Sequence, residues 1–223
     1  MASLVAPRKL IERAGHGVAA AAVLGLGAFT ALAQDSVTLP APQIDGGKPL
    51  MQALNERRTT RSLTDAPLSA QQLSNLLWAA FGINRPDGHR TAPSARNWQE
   101  IDVYVVKADG AYLYEAKANV LRRVLAQDVR AIAGTQSHAR NAAVTLVYVA
   151  DIRRMEGATE ATRTEFAAAD AGFIAQNVYL YCASEGLGTV VFASMDRERL
   201  AQTLKLDRSQ RIVLGQSVGW PAK

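Results

Sequence analysis

The fold is decided by one long apolar stretch, residues 162–184, which reads TRTEFAAADAGFIAQNVYLYCAS. Its length and the spacing of its apolar residues predict a single helix over this range. Because the helix is apolar nearly all round, we expect it to be buried in the core of a domain. Within its 23 residues it keeps Asp170, Gln176 and Asn177, so it is not predicted to span a membrane.

Shorter elements surround this helix. Alternating or continuously apolar runs predict strands at 101–106, 112–114, 144–149, 189–193 and 210–218. Helical spacing and capping residues predict further helices at 51–56, 70–81, 119–129 and 197–204. The strands and helices follow no regular βαβ order. We therefore predict an α+β fold, a small mixed sheet wrapped by helices with the long helix at its centre.

The composition limits the kinds of active site that the chain can form. The chain has 223 residues, 48% of them hydrophobic, but a single cysteine and three histidines. One cysteine excludes an intramolecular disulfide and a Cys-based zinc site, and we expect no metal centre. The sequence contains no H-E-x-x-H motif, and no G-x-G-x-x-G follows the first strand. A redox or group-transfer reaction would therefore need an organic cofactor.

The first 33 residues have the layout of a secretory signal peptide. Basic residues precede an apolar run over residues 18–32, and Ala31-Leu32-Ala33 supplies a small-x-small cleavage pattern. The run is shorter than the roughly 20 residues of a membrane-spanning helix, although an uncleaved anchor remains the alternative. We predict cleavage after Ala33, export to the periplasm and no stable membrane insertion of the mature chain.

The mature chain, residues 34–223, begins with a segment that is not predicted to be part of the core. Residues 34–49 contain three prolines and the pair Gly46-Gly47, which is typical of a linker or an extended arm. The domain itself is expected at 50–223. Loss of the leader lowers the net charge from +5 to +3, because three basic residues and one acidic residue leave with it. This modest charge argues against nucleic acid as a partner.

Three polar stretches could bind a ligand. Arg57-Arg58-Thr59-Thr60-Arg61 offers three guanidiniums that suit a phosphate, although an isolated Arg-rich run is more often a solvated loop. Residues 90–99, reading RTAPSARNWQ, place Ser94, Asn97 and Gln99 ahead of a strand, where a plain turn is the simpler interpretation. Glu185-Gly-Leu-Gly188 follows the long helix, either as an ordinary C-cap or as a place where a flat ligand approaches the backbone.

These stretches, together with LLWAAFGINR at 76–85, resemble the FMN-dependent nitroreductase family, and its SagB/ThcOx-like dehydrogenase branch is the closest match. The segments occur in family order and cover residues 50–221. The resemblance implies an α+β fold built as an intertwined homodimer, with two FMN sites at the interface.

The resemblance also assigns the cofactor-binding residues. The phosphate- and flavin-contacting segment corresponds to Arg57, Arg58, Thr59 and Arg61. The stretch that reaches the flavin of the other subunit, with the polar pair after it, corresponds to Pro93, Ser94, Ala95, Asn97 and Gln99. The loop that places backbone amides near flavin N5 corresponds to Glu185 and Gly186, continued by Leu187 and Gly188. Gln136 is a further candidate, for the pyrimidine edge of the ring.

Two departures from the family pattern matter. Many members place basic residues after the last strand to clamp the phosphate, whereas this sequence reads Gly219-Trp-Pro-Ala-Lys223 there. Either Lys223 takes that role or the arginine stretch holds the phosphate alone. Azoline oxidases of the branch often read G-A-L-Y-P after P-S-A, where this chain has Arg96-Asn-Trp-Gln-Glu100, which favours a stand-alone reductase.

The predicted function is that of an FMN-dependent oxidoreductase. Flavin N5 would pass a hydride or electrons, by a ping-pong scheme, from a reductant to a small aromatic, nitro- or quinone-like acceptor. NAD(P)H is a candidate reductant, and no protein side chain is predicted to be catalytic. Three alternatives stay open: a non-catalytic exported flavin carrier or sensor, an azoline dehydrogenase, and a module that binds acidic surfaces through its arginines.

Overall fold

The computed structural model describes Met1, Ala2 and residues 36–223. The strands are β1 Ser36–Thr38, β2 Leu63–Thr64, β3 Ile101–Lys107, β4 Gly110–Glu115, β5 Val120–Leu125, β6 Val144–Asp151, β7 Gly188–Phe192 and β8 Gln210–Pro221. The helices are α1 Leu50–Glu56, α2 Ala70–Phe81, α3 Arg130–Ala133, α4 Ser137–Arg140, α5 Glu160–Glu185 and α6 Arg197–Thr203. The predicted signal peptide and its cleavage site after Ala33 lie outside the described residues.

The strands form one sheet in the order β1-β5-β4-β3-β6-β8-β2, and β7 also pairs with β8. Every strand pairing within the described residues is antiparallel. The α+β class is therefore confirmed, but the sheet is antiparallel and not mixed as predicted. Tight hairpins join β3 to β4 and β4 to β5. The long strand β8 pairs with β6, β7 and β2, and all three run in the opposite direction to it.

The sheet is buried on both faces, because its strands alternate between two apolar clusters. In β3, Ile101, Val103 and Val105 face the cluster formed with α2 and α5. Tyr104 and Val106 face the opposite cluster, where α3 and α6 pack. The two-residue period of a strand thus directs one element into two layers of helix packing.

Helix α2 begins where its sequence predicts. Ser69 is the N-cap: its hydroxyl accepts the Gln72 N–H at 3.1 Å, and the Gln72 side chain accepts the Ser69 N–H at 2.9 Å. This reciprocal pair is the predicted capping box, and it satisfies N–H groups that would otherwise lack a partner. The helix ends at Phe81, before Gly82.

Helix α5 is confirmed, with an extra residue or two at each end. Its prediction as a helix buried all round is wrong for the single chain, because Phe166 is 38% exposed and Phe173 is 47% exposed. The side that packs on the sheet holds Ala171, Ile174 and Val178. One face of α5 is therefore apolar and is not covered by residues 36–223. No helix among the described residues is long and apolar enough to cross a membrane.

The predicted helix at 119–129 is wrong, since the structure has strand β5 there. Asn119 has a positive φ of 51°, which allows a tight turn back from β4. Leu121 is fully buried between its neighbours β4 and β1. The sequence VLRRVL suits either helix or strand, and pairing on both edges decides for the strand, because it satisfies the backbone groups on both sides.

Candidate functional site

The arginine segment, defined as residues 57–61, links α1 to β2. The Arg57 N–H donates to the Ala53 carbonyl at 2.9 Å as α1 ends, and the Thr60 N–H donates to the Thr189 carbonyl of β7 at 2.9 Å. Beyond the segment, Leu63 pairs with Pro221 of β8. The segment is thus attached to regular structure at both ends, so its side chains have a defined position.

Tyr179 of α5 packs against the arginine segment, a contact that the sequence analysis did not predict. The Arg57 guanidinium lies 5.4 Å from the centre of the Tyr179 ring, within reach of a cation–π interaction. The Tyr179 hydroxyl accepts the Val191 N–H at 3.1 Å and lies 3.1 Å from Thr59 Oγ1. One buried phenol therefore orients both an arginine and a threonine of the segment and ties them to β7.

None of Arg57, Arg58 and Arg61 has a carboxylate within 4.0 Å among the described residues. Several other arginines of the domain do, each at an N–O distance of 2.8 Å or less: Arg122, Arg130, Arg153, Arg154 and Arg211. With no carboxylate partner within residues 36–223, the three guanidiniums are available to an external anion, and a phosphate suits their planar donor geometry.

A cavity of about 590 Å³ opens beside the segment, a size usual for a small-molecule site. Arg57, Arg58 and Thr60 line one wall. The remaining wall and floor come from residues of α1, α5, β7, β8 and the chain ahead of α1: Lys48, Asn55, Glu56, Tyr179, Cys182, Ala183, Gly186, Leu187, Thr189 and Pro221. The cavity therefore joins a basic wall to less polar surfaces, which suits a flat ligand with an anionic tail.

Lys48 is a second residue that sequence reasoning missed. Its ammonium donates to Glu56 Oε2 at 2.5 Å and to the Ala183 carbonyl at 3.3 Å. Its own backbone N–H donates to Ser184 Oγ at 2.8 Å. The hydrogen bond from Lys48 is the largest cause that holds the pKa of Glu56 below its usual value. Lys48 joins the arm at residues 34–49 to both helices that flank the cavity.

The glycines after α5 have structural reasons of their own. Gly186 ends the helix in the left-handed conformation, with φ of 71°. The N–H groups of Gly186 and Leu187 both donate to the Cys182 carbonyl, so neither amide is free for a ligand. A Cβ on Gly188 would lie 2.6 Å from Leu63 Cδ2 and 2.9 Å from Thr60 Cγ2. Gly188 therefore lets the arginine segment pack closely on β7.

Gln136 lies near the same group of residues. Its side chain is exposed, and its Oε1 lies 2.6 Å from Nε2 of the buried His138. The pKa of His138 is lowered, first by burial and then by the positive charge of Arg61. His138 also lies against the Phe192 ring, with 5.1 Å between ring centres. Gln136 is thus held at a defined place by His138, which lies within the electrostatic reach of Arg61.

The other predicted site residues lie in the loop ahead of β3, here called the 93–99 loop. The Ala95 N–H donates to Asp170 Oδ2 at 2.9 Å. The Gln99 N–H donates to Ser94 Oγ at 3.0 Å, and the Gln99 side chain contacts Asn97 Oδ1 at 2.9 Å and Arg90 Nε at 2.8 Å. Pro93 is exposed at the start of the loop. The loop is therefore ordered by its own side chains.

The 93–99 loop is strained. Arg96, Asn97 and Gln99 have φ angles of 50°, 55° and 48°, a left-handed conformation that is uncommon for residues other than glycine. Residues held in such conformations cluster at functional sites, where the surrounding structure enforces them. The sequence offered no signal for this strain, since none of the three is glycine.

The structure brings the predicted residues together as two separate groups. Asp170, which holds the 93–99 loop, and Glu185, beside the cavity, are 15 residues apart along α5. At the usual helical rise this is about 22 Å. One chain thus places the arginine segment, residues 185–188 and Gln136 towards one end of α5, and Pro93, Ser94, Ala95, Asn97 and Gln99 towards the other.

Comparison with known proteins gives consistent matches. The nitroreductase family model matches residues 54–220. A provisionally named nitroreductase of Methanocaldococcus jannaschii is 29% identical over 182 residues, 77% of this chain and 91% of that protein. The crystal structure of a provisionally named nitroreductase from Ralstonia eutropha is 42% identical with a TM-score of 0.80, covering 84% of this chain and 90% of that one. An NADPH:FMN oxidoreductase from Vibrio harveyi, solved with NAD+, shares the fold at 21% identity with a TM-score of 0.58, over 78% and 69% of the two chains.

Proposed function

The chain belongs to the nitroreductase family, and from this premise we propose that it is an oxidoreductase that uses FMN. Membership makes the protein an oxidoreductase, and the family is one of flavin-dependent enzymes. The observation that supports FMN in this chain is the arginine segment: among residues 36–223 its three guanidiniums have no carboxylate partner, and two of them, Arg57 and Arg58, line a cavity of about 590 Å³. A flavin with a phosphate tail fits this donor set, whereas a neutral ligand would leave the basic wall unused.

Each residue of the site has a definite part in this proposal. Arg57, Arg58 and Arg61 hold the phosphate and make the site electropositive, and Thr59 adds a hydroxyl that Tyr179 orients. When bound, FMN supplies hydride acceptance and release at its N5 position. A preorganised positive wall stabilises negative charge on the ligand without the cost of reorienting water. Gln136, held by His138, offers an amide for the polar edge of the ring.

One cavity serves both half-reactions in this proposal. A reductant, with NAD(P)H as the first candidate to test, and a small nitro- or quinone-like acceptor would enter the same space in turn. Within residues 36–223, no acidic side chain lines the cavity apart from Glu56, and Lys48 engages that carboxylate. The protons therefore come from solvent, and the chain contributes binding and electrostatics. Azoline oxidation, an activity of the SagB-like branch, stays a sequence prediction that the 96–100 segment disfavours.

We infer that the working form is a homodimer. Phe166 and Phe173 leave an apolar face of α5 uncovered, and α1 adds the exposed side chains of Leu50, Met51 and Leu54. Exposed apolar patches of this kind mark interaction surfaces. A partner placed on this face could bring its own 93–99 loop to the arginine segment, which a single chain does not. Phe173→Glu should yield a monomer in sedimentation analysis, whereas Ile44→Glu, at an apolar side chain that is even more exposed, should leave the dimer intact.

The visible spectrum of the purified mature chain tests the cofactor directly, with the released flavin identified after denaturation. We expect flavin absorption and FMN as the released species. The double variant Arg57→Ala/Arg61→Ala should lose FMN, while Arg208→Ala should keep it. Arg208 is exposed and precedes the start of β8, about 35 Å along the strand from the segment.

The outcomes separate the proposals. A wild-type protein that neither contains nor takes up FMN would refute the cofactor assignment, and a yellow double variant would refute the role of the arginines. FMN bound without turnover by any donor would favour the non-catalytic flavin carrier or sensor. Steady-state kinetics with varied NAD(P)H and a quinone should give the parallel double-reciprocal lines of a ping-pong scheme.

We also propose export to the periplasm with cleavage after Ala33. The support is the layout of residues 1–33, a basic region, an apolar run and a small-x-small site. Fractionation of a Gram-negative host that expresses the full chain, followed by intact mass measurement, tests it. The expected mature protein begins at Gln34, and full-length protein retained in the cytoplasm would contradict the proposal.

A further inference from the structure

Two acidic side chains meet beneath the 93–99 loop. Glu100 lies directly after the loop and is fully buried, and Asp170 on α5 is 1% exposed. The two carboxyl groups are within hydrogen-bonding reach of each other. Among residues 36–223, neither Glu100 oxygen has a hydrogen bond of normal geometry, and its own backbone N–H only partly opposes the rise of its pKa. A charged Glu100 would thus be buried without a normal hydrogen bond, which is strongly unfavourable.

The charged groups around the pair do not change this conclusion. Arg154 is the one cation that acts on Glu100, and its guanidinium is already engaged by Asp102 at 2.8 Å, by the Gln99 carbonyl at 2.9 Å and by Asp151 at 3.7 Å. Burial and the nearby Asp170 charge raise the pKa of Glu100 to about 7. Burial also raises the pKa of Asp170, although the Ala95 N–H and Glu100 oppose that shift.

The pair is connected to the loop through a single hydrogen bond. Asp170 Oδ2 accepts the Ala95 N–H at 2.9 Å, next to the strained residues Arg96 and Asn97. We propose that Glu100 and Asp170 share one proton and act as a positioning pair, which keeps the 93–99 loop in its strained conformation. Glu100 donates the proton to Asp170, and Asp170 in turn holds Ala95. Loss of that proton leaves two carboxylates in contact, and their repulsion releases the loop.

The sign of the pH effect follows. Below about pH 4.5, the usual pKa of a glutamate, the loop is fully held. As the pH rises from about 4.5 to about 7, the ratio of held to released loop falls by up to about tenfold per pH unit, and above about pH 7 it levels off. Any role of the loop at the cofactor of the partner subunit rests on the proposed function, but the coupling between the pair and the loop does not.

Hydrogen–deuterium exchange tests the coupling in the full mature chain without flavin or turnover. In the wild type, we expect the protection factor of Ala95, corrected for the intrinsic pH dependence of exchange, to fall by up to about tenfold per pH unit from about pH 4.5 to about pH 7 and to level off above that. Glu100→Gln should make the protection independent of pH, because an amide donates to Asp170 at every pH. Glu115→Gln, an exposed carboxylate of β4 paired with Arg122, is the matched control and should behave as the wild type.

Infrared spectroscopy gives the second readout. The wild type should show the C=O stretch of a buried carboxylic acid near pH 6, and Glu100→Gln should lack it. The proposal is overturned if that band is absent, if Ala95 protection does not depend on pH in the wild type, or if Glu100→Gln keeps the same pH dependence. A wild-type protein that neither contains nor takes up FMN would refute the proposed function and leave this result untouched.

Discussion

Replacing Gly188 with alanine should weaken the arginine segment although no ligand-binding group is removed. The added Cβ would lie 2.6 Å from Leu63 Cδ2 and 2.9 Å from Thr60 Cγ2. Carbon atoms in contact normally lie about 3.5–4.0 Å apart, so these side chains must move by roughly 1 Å. Thr60 is also held by its N–H bond to Thr189. Overpacking of this kind typically costs about 1–3 kcal/mol.

Thermal denaturation and FMN titration together measure the effect. A domain of this size loses about 2–4 °C in Tm for each kcal/mol of lost stability. The FMN dissociation constant should rise several-fold, because displacing Thr60 also displaces the arginines beside it in the chain. Gly82→Ala is the control: its Cβ would meet Trp78 at 2.5 Å, and no residue of the arginine segment is among its nearest neighbours. Gly82→Ala should lower Tm but keep the FMN affinity. A Gly188→Ala protein with unchanged Tm and FMN affinity would refute the packing argument.

Three further outcomes are expected. Ser69→Ala removes the capping box of α2 and should lower the free energy of unfolding by about 1 kcal/mol in urea titration, whereas Ser69→Asp should retain most of it. Leu77→Ala empties a fully buried position between α2 and the sheet and should cost about 2–5 kcal/mol in the same assay. The pKa of Glu100 is raised in the folded state, so the free-energy cost of burying its charged form depends on pH. This cost to stability is absent below about pH 4.5, grows as the pH rises to about 7, and then levels off. Glu100→Gln should therefore gain stability relative to the wild type between pH 5 and pH 8, by up to roughly 3 kcal/mol, and a constant difference would contradict the assignment.

Local patterns were sufficient for most elements of the fold. The capping box at Ser69 placed the start of α2, and the length of the apolar run at 162–184 placed α5, because both signals act within a few turns of the chain. The predicted helix at 119–129 failed for the opposite reason. Its residues suit both states, and only pairing with β1 and β4, which come from elsewhere in the chain, makes a strand the better solution.

The candidate site likewise has one part that local sequence indicates and another that only the tertiary structure decides. The arginine segment was visible in the sequence, because three guanidiniums in five residues are close in any fold. The tertiary structure decided that no carboxylate neutralises them, that Tyr179 and Lys48 support the cavity, and that Gly188 serves packing. Partners such as these come from positions far apart in the chain, so no local spacing indicates them.

The sequence by itself determined the α+β class, the central helix, the run of three guanidiniums within residues 57–61 and the family resemblance. These depend on residue type and short-range spacing, which the chain carries in any conformation. Only the tertiary structure decided the antiparallel strand order, the uncovered face of α5, the strain in the 93–99 loop and the meeting of Glu100 with Asp170. Each of these arises because packing brings residues together that are far apart in the sequence. Burial then changes the free energy of a charged carboxyl, of an exposed phenylalanine or of a left-handed backbone angle.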